Sequence, residues 1–304
     1  SIQGLKMHAN KRLLTDVLKG TEEGQLGFTG FVITDYNAVQ QITKDWDGNA
    51  VSGLKDQIKV TVNAGVDMMM MPADWKVTIT HLKALAEEGS IKQSRIDDAV
   101  TRILRVKFES GVFEHPMTDK SLEGTFGSQS HRALAQQAVR ESLVLLKNDE
   151  VNGKPILAQL KNMNKIFVAG KSADDIGIQS GGWSITWQGQ SGKTTEGTTI
   201  LQGIKNTVGG SKTVTYNKHG RGAAGSDVAI AIIGEKPYAE GTGDSLNSLK
   251  LDKEDIATLN NIRESGVPTV VVLVSGRPMI LNDQLGDMEG LVEAWLPGTE
   301  GQGV

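Results

Sequence analysis

Asp35 lies in the run Gly30-Phe31-Val32-Ile33-Thr34-Asp35-Tyr36-Asn37, in which the strand formers Val32 and Ile33 give way to polar residues. In parallel α/β proteins chemistry sits at this carboxyl edge, because loops converge there while the strand holds its last side chain rigidly. Asp35 is therefore the first candidate for a catalytic group; the plainer alternative is an Asp that caps a helix or closes a turn. A second apolar strand, Asp227-Val228-Ala229-Ile230-Ala231-Ile232-Ile233-Gly234, runs into a loop that carries Glu235, Glu240 and Asp244. Pro237 stiffens this loop, and Gly241 and Gly243 let it bend. A pair of carboxylates, one a nucleophile and one an acid of raised pKa, is the equipment for cleaving a glycosidic bond. The third element is Gly181-Gly182-Trp183-Ser184-Ile185-Thr186-Trp187-Gln188-Gly189, with two of the chain's five tryptophans in a Gly-flanked segment. Exposed, their ring faces would stack on the C–H faces of a pyranose; the alternative is that both pack in a core.

The elements that must position these groups alternate along the chain. The pattern predicts strands over 28–34 and 65–71, with Met68 to Met71 as a core strand because Met fills irregular gaps. Helices are predicted over 53–63, 77–88 and 94–110, the last capped by Ser94, stopped at Gly111, and apolar along Ile96, Val100, Ile103, Leu104 and Phe108. Periodicity lapses over 113–129, which reads as a linker between a partial domain 1–112 and a domain 130–304 that is expected to be incomplete at its end. Beyond it, a helix over 131–141 precedes strands at 165–169, 213–216, 227–233, 269–274 and 290–295, with a helix over 253–265. Strands alternating with helices imply an α/β fold with a mainly parallel sheet covered on both faces. The first domain has two strand–helix units where a closed barrel needs eight, so the chain is expected to be an internal stretch of a longer enzyme.

Composition narrows the function classes. A net charge of −4 and the lack of a basic stripe interleaved with aromatics speak against nucleic acid as a partner. No apolar run reaches the roughly 20 residues that cross a bilayer. There are no cysteines, hence no disulfide or thiolate site, and the five histidines form no ligand pair at helical spacing, so no metal is expected.

Taken in order, several segments carry a specific resemblance. They are Thr34-Asp35-Tyr36, Ala64-Gly65-Val66-Asp67-Met68, Ser94-Arg95-Ile96-Asp97-Asp98-Ala99-Val100 with Arg102-Ile103-Leu104-Arg105-Val106-Lys107, Ser142-Leu143-Val144-Leu145-Leu146-Lys147-Asn148, the tryptophan segment, Ser275-Gly276-Arg277-Pro278, and Trp295-Leu296-Pro297-Gly298-Thr299-Glu300-Gly301. The whole chain resembles the two-domain β-glucosidases and exo-1,3/1,4-β-glucanases of glycoside hydrolase family 3. The resemblance implies the carboxyl-terminal part of a (β/α)8-type barrel followed by an (α/β)6 sandwich, with the active site between them. It implies a retaining mechanism that needs no cofactor, with Asp35 as nucleophile and Glu240 as acid/base. By position, Tyr36 and Trp187 resemble the two rings that clamp the sugar beyond the cleaved bond, although the plant enzymes carry Trp where Tyr36 stands. Trp183 belongs to the same segment, and Gln41 stands where those enzymes carry an Arg. The implied partner is a β-glucoside or β-glucan, and the implied location is the periplasm or outside the cell. The family's remaining glucose-holding residues belong to an earlier barrel segment, so this chain alone is expected to have little or no activity. A degenerate, carbohydrate-binding member is the alternative; N-acetylglucosaminidases of the family are disfavoured by the Glu240 loop.

Nucleotide binding fails on order. Gly220-Arg221-Gly222-Ala223-Ala224-Gly225 fits GxGxxG but precedes a strand, whereas the dinucleotide motif must follow one. Gly192-Lys193-Thr194 ends like a phosphate loop, but Trp187 stands where the required Gly belongs.

Overall fold

The computed structural model describes residues 1–304 apart from Thr242 and Asp244, and the chain divides into two compact units, Ser1–Lys120 and Ser121–Val304. In the first unit the helices are α1 (Leu54–Ala64), α2 (Trp75–Glu87) and α3 (Gln93–Glu109). Helical spacing gives α1 a buried stripe, Ile58 and Val62, which packs with Val39, Leu85 and Ile91. Helix α3 starts before the predicted cap: the Lys92 carbonyl accepts from the N–H groups of Arg95 (2.9 Å) and Ile96 (3.3 Å), so Ser94 lies inside the first turn. It ends as predicted before Gly111, which takes the left-handed conformation at φ +65°.

The strands predicted over 28–34 and 65–71 are only begun. The segments run parallel with one bridge, Ile33 to Met68; the Thr34 N–H bonds to the Met68 carbonyl at 3.1 Å and the Asp67 N–H to the Val32 carbonyl at 2.9 Å. Pairing goes no further because the Val32 N–H is taken by the Asp67 carboxylate at 2.8 Å rather than by a carbonyl. Of the four methionines, Met71 is buried, Met69 packs against the core and Met70 is exposed, so the run borders the core instead of lying wholly within it. Phe113, Met117, Leu122 and Phe126 are exposed between α3 and the next helix.

The second unit opens with α4 (Gln129–Ser142) and β1 (Val144–Asn148), followed by the small hairpin β2 (Glu150–Val151) and β3 (Lys154–Pro155). Then come α5 (Ile156–Gln159), β4 (Lys165–Ala169), α6 (Ile176–Ser180), α7 (Ile200–Val208), β5 (Thr213–Asn217), β6 (Val228–Gly234), α8 (Lys253–Arg263), β7 (Thr269–Val274) and β8 (Gly290–Trp295). The main sheet has the order β1-β8-β7-β6-β4-β5, parallel throughout except for β1, which is antiparallel to β8. This is the predicted mainly parallel sheet with β1 added, and the hairpin forms a two-stranded sheet of its own.

Alternation along the strands builds a core on each face. Phe167, Ala169, Ile233 and Leu273 pack with Leu259 and Ile262 of α8, while Ile166, Val168, Ile232 and Val272 pack with Ile178, Ile200 and Leu201. At the end of β6, Gly234 has φ +143° and a Cβ there would lie 1.9 Å from the Val274 carbonyl oxygen, so only glycine fits. The chain turns at that point, and the Glu235 N–H bonds to the same carbonyl at 2.9 Å.

Candidate active-site loops

In the first unit Asp35 lies where expected, just past the paired segment. Thr34 before it is buried and its hydroxyl accepts from the Met70 N–H at 2.9 Å, which fixes the end of the segment. The Asp35 carboxylate is exposed, and its one hydrogen bond among the described residues is from the Tyr36 N–H at 2.7 Å. The Tyr36 ring is exposed as well. Gln41 lies at the end of a short helical turn with its amide oxygen bonded to Lys6 Nζ at 2.9 Å.

What holds the Asp35 segment is a charge network whose role the sequence did not reveal. Asp67 has a fully buried side chain, and Lys19 Nζ lies 2.7 Å from it with only 6% of its own side chain exposed. Arg95 of α3 also bonds to Asp67, and its guanidinium reaches Asp98 and the carbonyls of Val62 and Val66. Burial pulls the Lys19 ammonium below its ordinary pKa, and the Asp67 carboxylate opposes that shift. Asp67 Oδ2, which also accepts from Lys19, takes the Val32 N–H, three residues before Asp35. Farther along α3, Arg102 bonds to Asp98 at 2.8 Å and to the carbonyls of Phe28 (2.6 Å) and Gly30 (3.0 Å). One helix therefore grips the start of the segment that presents Asp35 directly through Arg102, and its middle through Arg95 and Asp67. An Asp between Val66 and Met68 was a readable signal, since a carboxylate in an apolar run requires a cationic partner.

In the second unit the three loop carboxylates behave differently. Glu235 is nearly buried and fully engaged: it binds Arg277 through Nε (2.9 Å) and Nη2 (2.8 Å), and accepts from the Tyr238 hydroxyl (3.1 Å) and the Gly276 N–H (3.3 Å). The Arg277 guanidinium lies over the Tyr238 ring and reaches the Gly243 carbonyl and, at 2.7 Å, the Ser248 hydroxyl. Glu235 is thus a loop anchor. Glu240 is exposed, and its carboxylate has no hydrogen-bond or ion-pair partner among the described residues. Asp244 lies outside the described residues.

The tryptophan segment is joined to this loop. Gln188 acts as a two-handed splint: its side-chain oxygen accepts from the Ala239 N–H at 2.9 Å and its nitrogen donates to the Glu240 carbonyl at 3.2 Å. Gly182 makes the approach possible, since a Cβ there would meet the Tyr238 carbonyl oxygen at 2.0 Å. Trp183 and Trp187 are both exposed, at 69% and 53%, so the alternative of core packing fails. Their ring centroids are 6.3 Å apart at an interplanar angle of 54°, and the Trp183 N–H bonds to the Trp187 carbonyl at 2.9 Å. Trp183 (φ +61°) and Ile185 (φ +65°) are left-handed, strained for non-glycine residues and more so for a β-branched one. A pocket of about 230 Å³ beside Trp183 is lined in part by Glu235, Tyr238 and Leu296.

Two further ionisable clusters stand at strand ends. Burial pushes the Asp255 carboxyl up to about 6, although Lys171 lies 2.7 Å away. Burial also opposes ionisation of Glu300, but Arg132 and Gln136 of α4 and the neighbouring Thr299 outweigh it and hold its pKa below the ordinary value. Among the described residues no group of three His, Asp or Glu is arranged to hold a metal ion.

A helical unit with one short parallel pairing and a second unit built on a mainly parallel sheet, each presenting an exposed carboxylate on a loop, make up an α/β protein. The chain belongs to glycosyl hydrolase family 3: residues 143–304 match the family's C-terminal domain and residues 1–106 its N-terminal domain. It is 30% identical to a lysosomal β-glucosidase of Dictyostelium discoideum over 99% of its own length and 38% of that protein's. It is 26% identical to a periplasmic β-glucosidase of Salmonella typhimurium, over 99% of this chain and 42% of that one. A crystal structure of a mutant exo-1,3/1,4-β-glucanase from a Pseudoalteromonas species superposes with a TM-score of 0.84 at 37% identity, covering 99% of this chain and 47% of that one. The chain thus spans less than half the length of each of these relatives.

Proposed function

We propose that this chain carries the two catalytic carboxylates of a retaining, exo-acting β-glucosidase or β-glucan glucohydrolase, which releases glucose from the nonreducing ends of β-glucosides or β-glucans. The observation that carries the reading is the contrast within one loop: Glu235 is consumed by four contacts while Glu240 is held forward and unpartnered among the described residues. In this reading Asp35 attacks the anomeric carbon as Glu240 protonates the leaving oxygen. The C–O bond breaks, and a covalent glycosyl-enzyme forms on Asp35. Glu240, now ionised, takes a proton from water, whose oxygen displaces Asp35 and restores both groups. Tyr36, Trp183 and Trp187 supply ring faces for sugar, and Gln41 a hydroxyl contact. Residues 1–112 serve as the nucleophile-bearing domain, 113–129 as linker and 130–304 as the acid/base domain. A periplasmic or secreted location is supported by the name of the Salmonella relative, and no helix among the described residues is long and apolar enough to cross a membrane.

The exposure of Asp35, with one backbone hydrogen bond and no cation on its carboxylate among the described residues, favours a second reading, in which this chain by itself binds sugar but turns over little. Incubation with an activated 2-deoxy-2-fluoroglucoside, followed by peptide mass spectrometry, tests both. Labelling on Asp35, lost in Asp35→Asn, supports the retaining mechanism. Labelling on another carboxylate overturns the assignment, and saturable glucoside binding without any label selects the second reading.

A further inference from the structure

Glu293 stands on β8 with 4% of its surface exposed, an unusual place for a carboxylate. Its cross-strand partners are apolar, Val144 on β1 and Leu273 on β7. Immediately beyond it the β7–β8 register shifts, so that Val274 pairs with Trp295, and Trp295 takes φ +54°. The Trp295 N–H turns to Glu293 Oε1 at 2.8 Å.

The other neighbour is Ser275, whose Oγ lies 3.3 Å from both carboxylate oxygens and 2.8 Å from the Arg277 carbonyl oxygen. A serine hydroxyl has one proton to donate. With Glu293 ionised, that proton serves either the carboxylate or the carbonyl, and one acceptor goes without. With Glu293 protonated, its O–H donates to Ser275 Oγ and the serine proton stays on the Arg277 carbonyl, so every polar atom in the chain of hydrogen bonds is satisfied.

We propose that Glu293 is a positioning residue for the Glu240 loop, a proton-controlled latch that acts through Ser275 and Arg277. Its functional meaning rests on the reading of Glu240 as acid/base. The 275–277 turn holds that loop through the Gly276 N–H and the Arg277 guanidinium, which meet Glu235, the Gly243 carbonyl and Ser248. When Glu293 releases its proton to solvent, the Ser275 hydroxyl turns to the carboxylate, lets go of the Arg277 carbonyl, and the turn loosens. Burial and the nearby Glu235 carboxylate push the Glu293 carboxyl up to about 7, against the pull of the Trp295 N–H and the Ser275 hydroxyl. Glu235 is itself paired with Arg277. Of the titratable and charged groups on α4, which packs on β8, Arg132 binds Glu300, and His131, Arg140 and Glu141 are exposed.

Amide hydrogen exchange of the whole chain between pH 5.5 and 8.5, corrected for intrinsic rates, tests the latch. Protection of residues 235–241 and 275–277 is expected to fall about fivefold as pH rises through about 7, the effect of one neutral hydrogen bond lost. Glu293→Gln, whose amide donates to Ser275 at every pH, should keep the low-pH protection throughout, and Ser275→Ala should lower protection at every pH and abolish the step. Flat wild-type protection, or a step that survives in either variant, overturns the proposal; if Glu293→Gln does not fold, Ser275→Ala decides. Unchanged hydrolysis in Glu240→Gln would refute the acid/base reading while leaving the exchange result intact.

Discussion

Replacing Asp67 with alanine tests how the Asp35 segment is held. The carboxylate is fully buried, as are all but 6% of the Lys19 side chain and 14% of that of Arg95. Its loss leaves Lys19 with the Gly65 carbonyl at 2.6 Å and Asp98 no closer than 3.9 Å, whereas Arg95 keeps its bond to Asp98. Breaking a buried pair from one side costs about 3–5 kcal/mol, and the surviving Asp98 places this case near the lower end. The Val32 N–H loses its acceptor too, at about 1–3 kcal/mol, and because the two losses share one group they do not simply add. About 4 kcal/mol is expected for Asp67→Ala and about 3 for Asp67→Asn, which retains an oxygen for Val32. Against a domain stability of about 5–15 kcal/mol this is a large fraction. Urea unfolding read by pulse-labelling mass spectrometry of peptides from α1 to α3 reports the first unit by itself, and the midpoint should fall by about 2 M for a slope near 2 kcal/mol/M. Salt should change the deficit little, because buried pairs are poorly screened. A loss below about 1 kcal/mol, or one that vanishes in high salt, would refute the account of Asp67 as the anchor.

Gly182→Ala must force the tryptophan segment away from the Tyr238 carbonyl; a loss of about 1–3 kcal/mol from the second unit is expected, with weaker glucoside binding by calorimetry. Arg277→Ala strands the Glu235 carboxylate and should cost about 2 kcal/mol, given that Arg277 is partly exposed, read as a lower urea midpoint of the second unit. Raised carboxyl pKa values mean that the native state keeps protons the unfolded chain releases. For Glu293, ordinarily 4.5 and about 7 here, stability therefore falls as pH rises from about 4.5 to 7, by about 3 kcal/mol in all. Asp255 acts with the same sign up to about pH 6, and urea midpoints of wild type and Glu293→Gln across pH 4–8 separate the two.

The strands most legible in the sequence were those buried on both faces. Thr269–Val274 and Gly290–Trp295 were predicted to the residue because short, mainly apolar runs, unbroken in the first and interrupted only by Glu293 in the second, have few other readings when Gly, Pro and polar residues bound them. β1 escaped because Val144, Leu145 and Leu146 stay well exposed and their pairing depends on a strand far along the chain. The first unit was over-read: apolar content suggested two full strands, but a side-chain carboxylate took the hydrogen bond that would have extended the ladder. Asp35 and the tryptophans were named from loop position, whereas Glu240 was singled out from the three carboxylates of its loop only by the family resemblance. Residue type and loop position alone did not show that Glu235 is an anchor, because its partner Arg277 is about forty residues away in the chain.

The antiparallel edge strand also sets a timetable for synthesis. Lys147 of β1 bonds to the Met288 carbonyl across 141 positions of chain, and Arg132 reaches Glu300 across 168. At about 5–20 residues per second, a nascent chain that has already produced β1 lacks β8 for roughly 7 to 30 s. Over that interval the amides of β1 have no sheet to join, and Val144, Leu145 and Leu146 meet solvent or a chaperone. The parallel strands β4, β5, β6 and β7 can pair as they emerge, whereas β1 waits for β8, its one partner among the described strands.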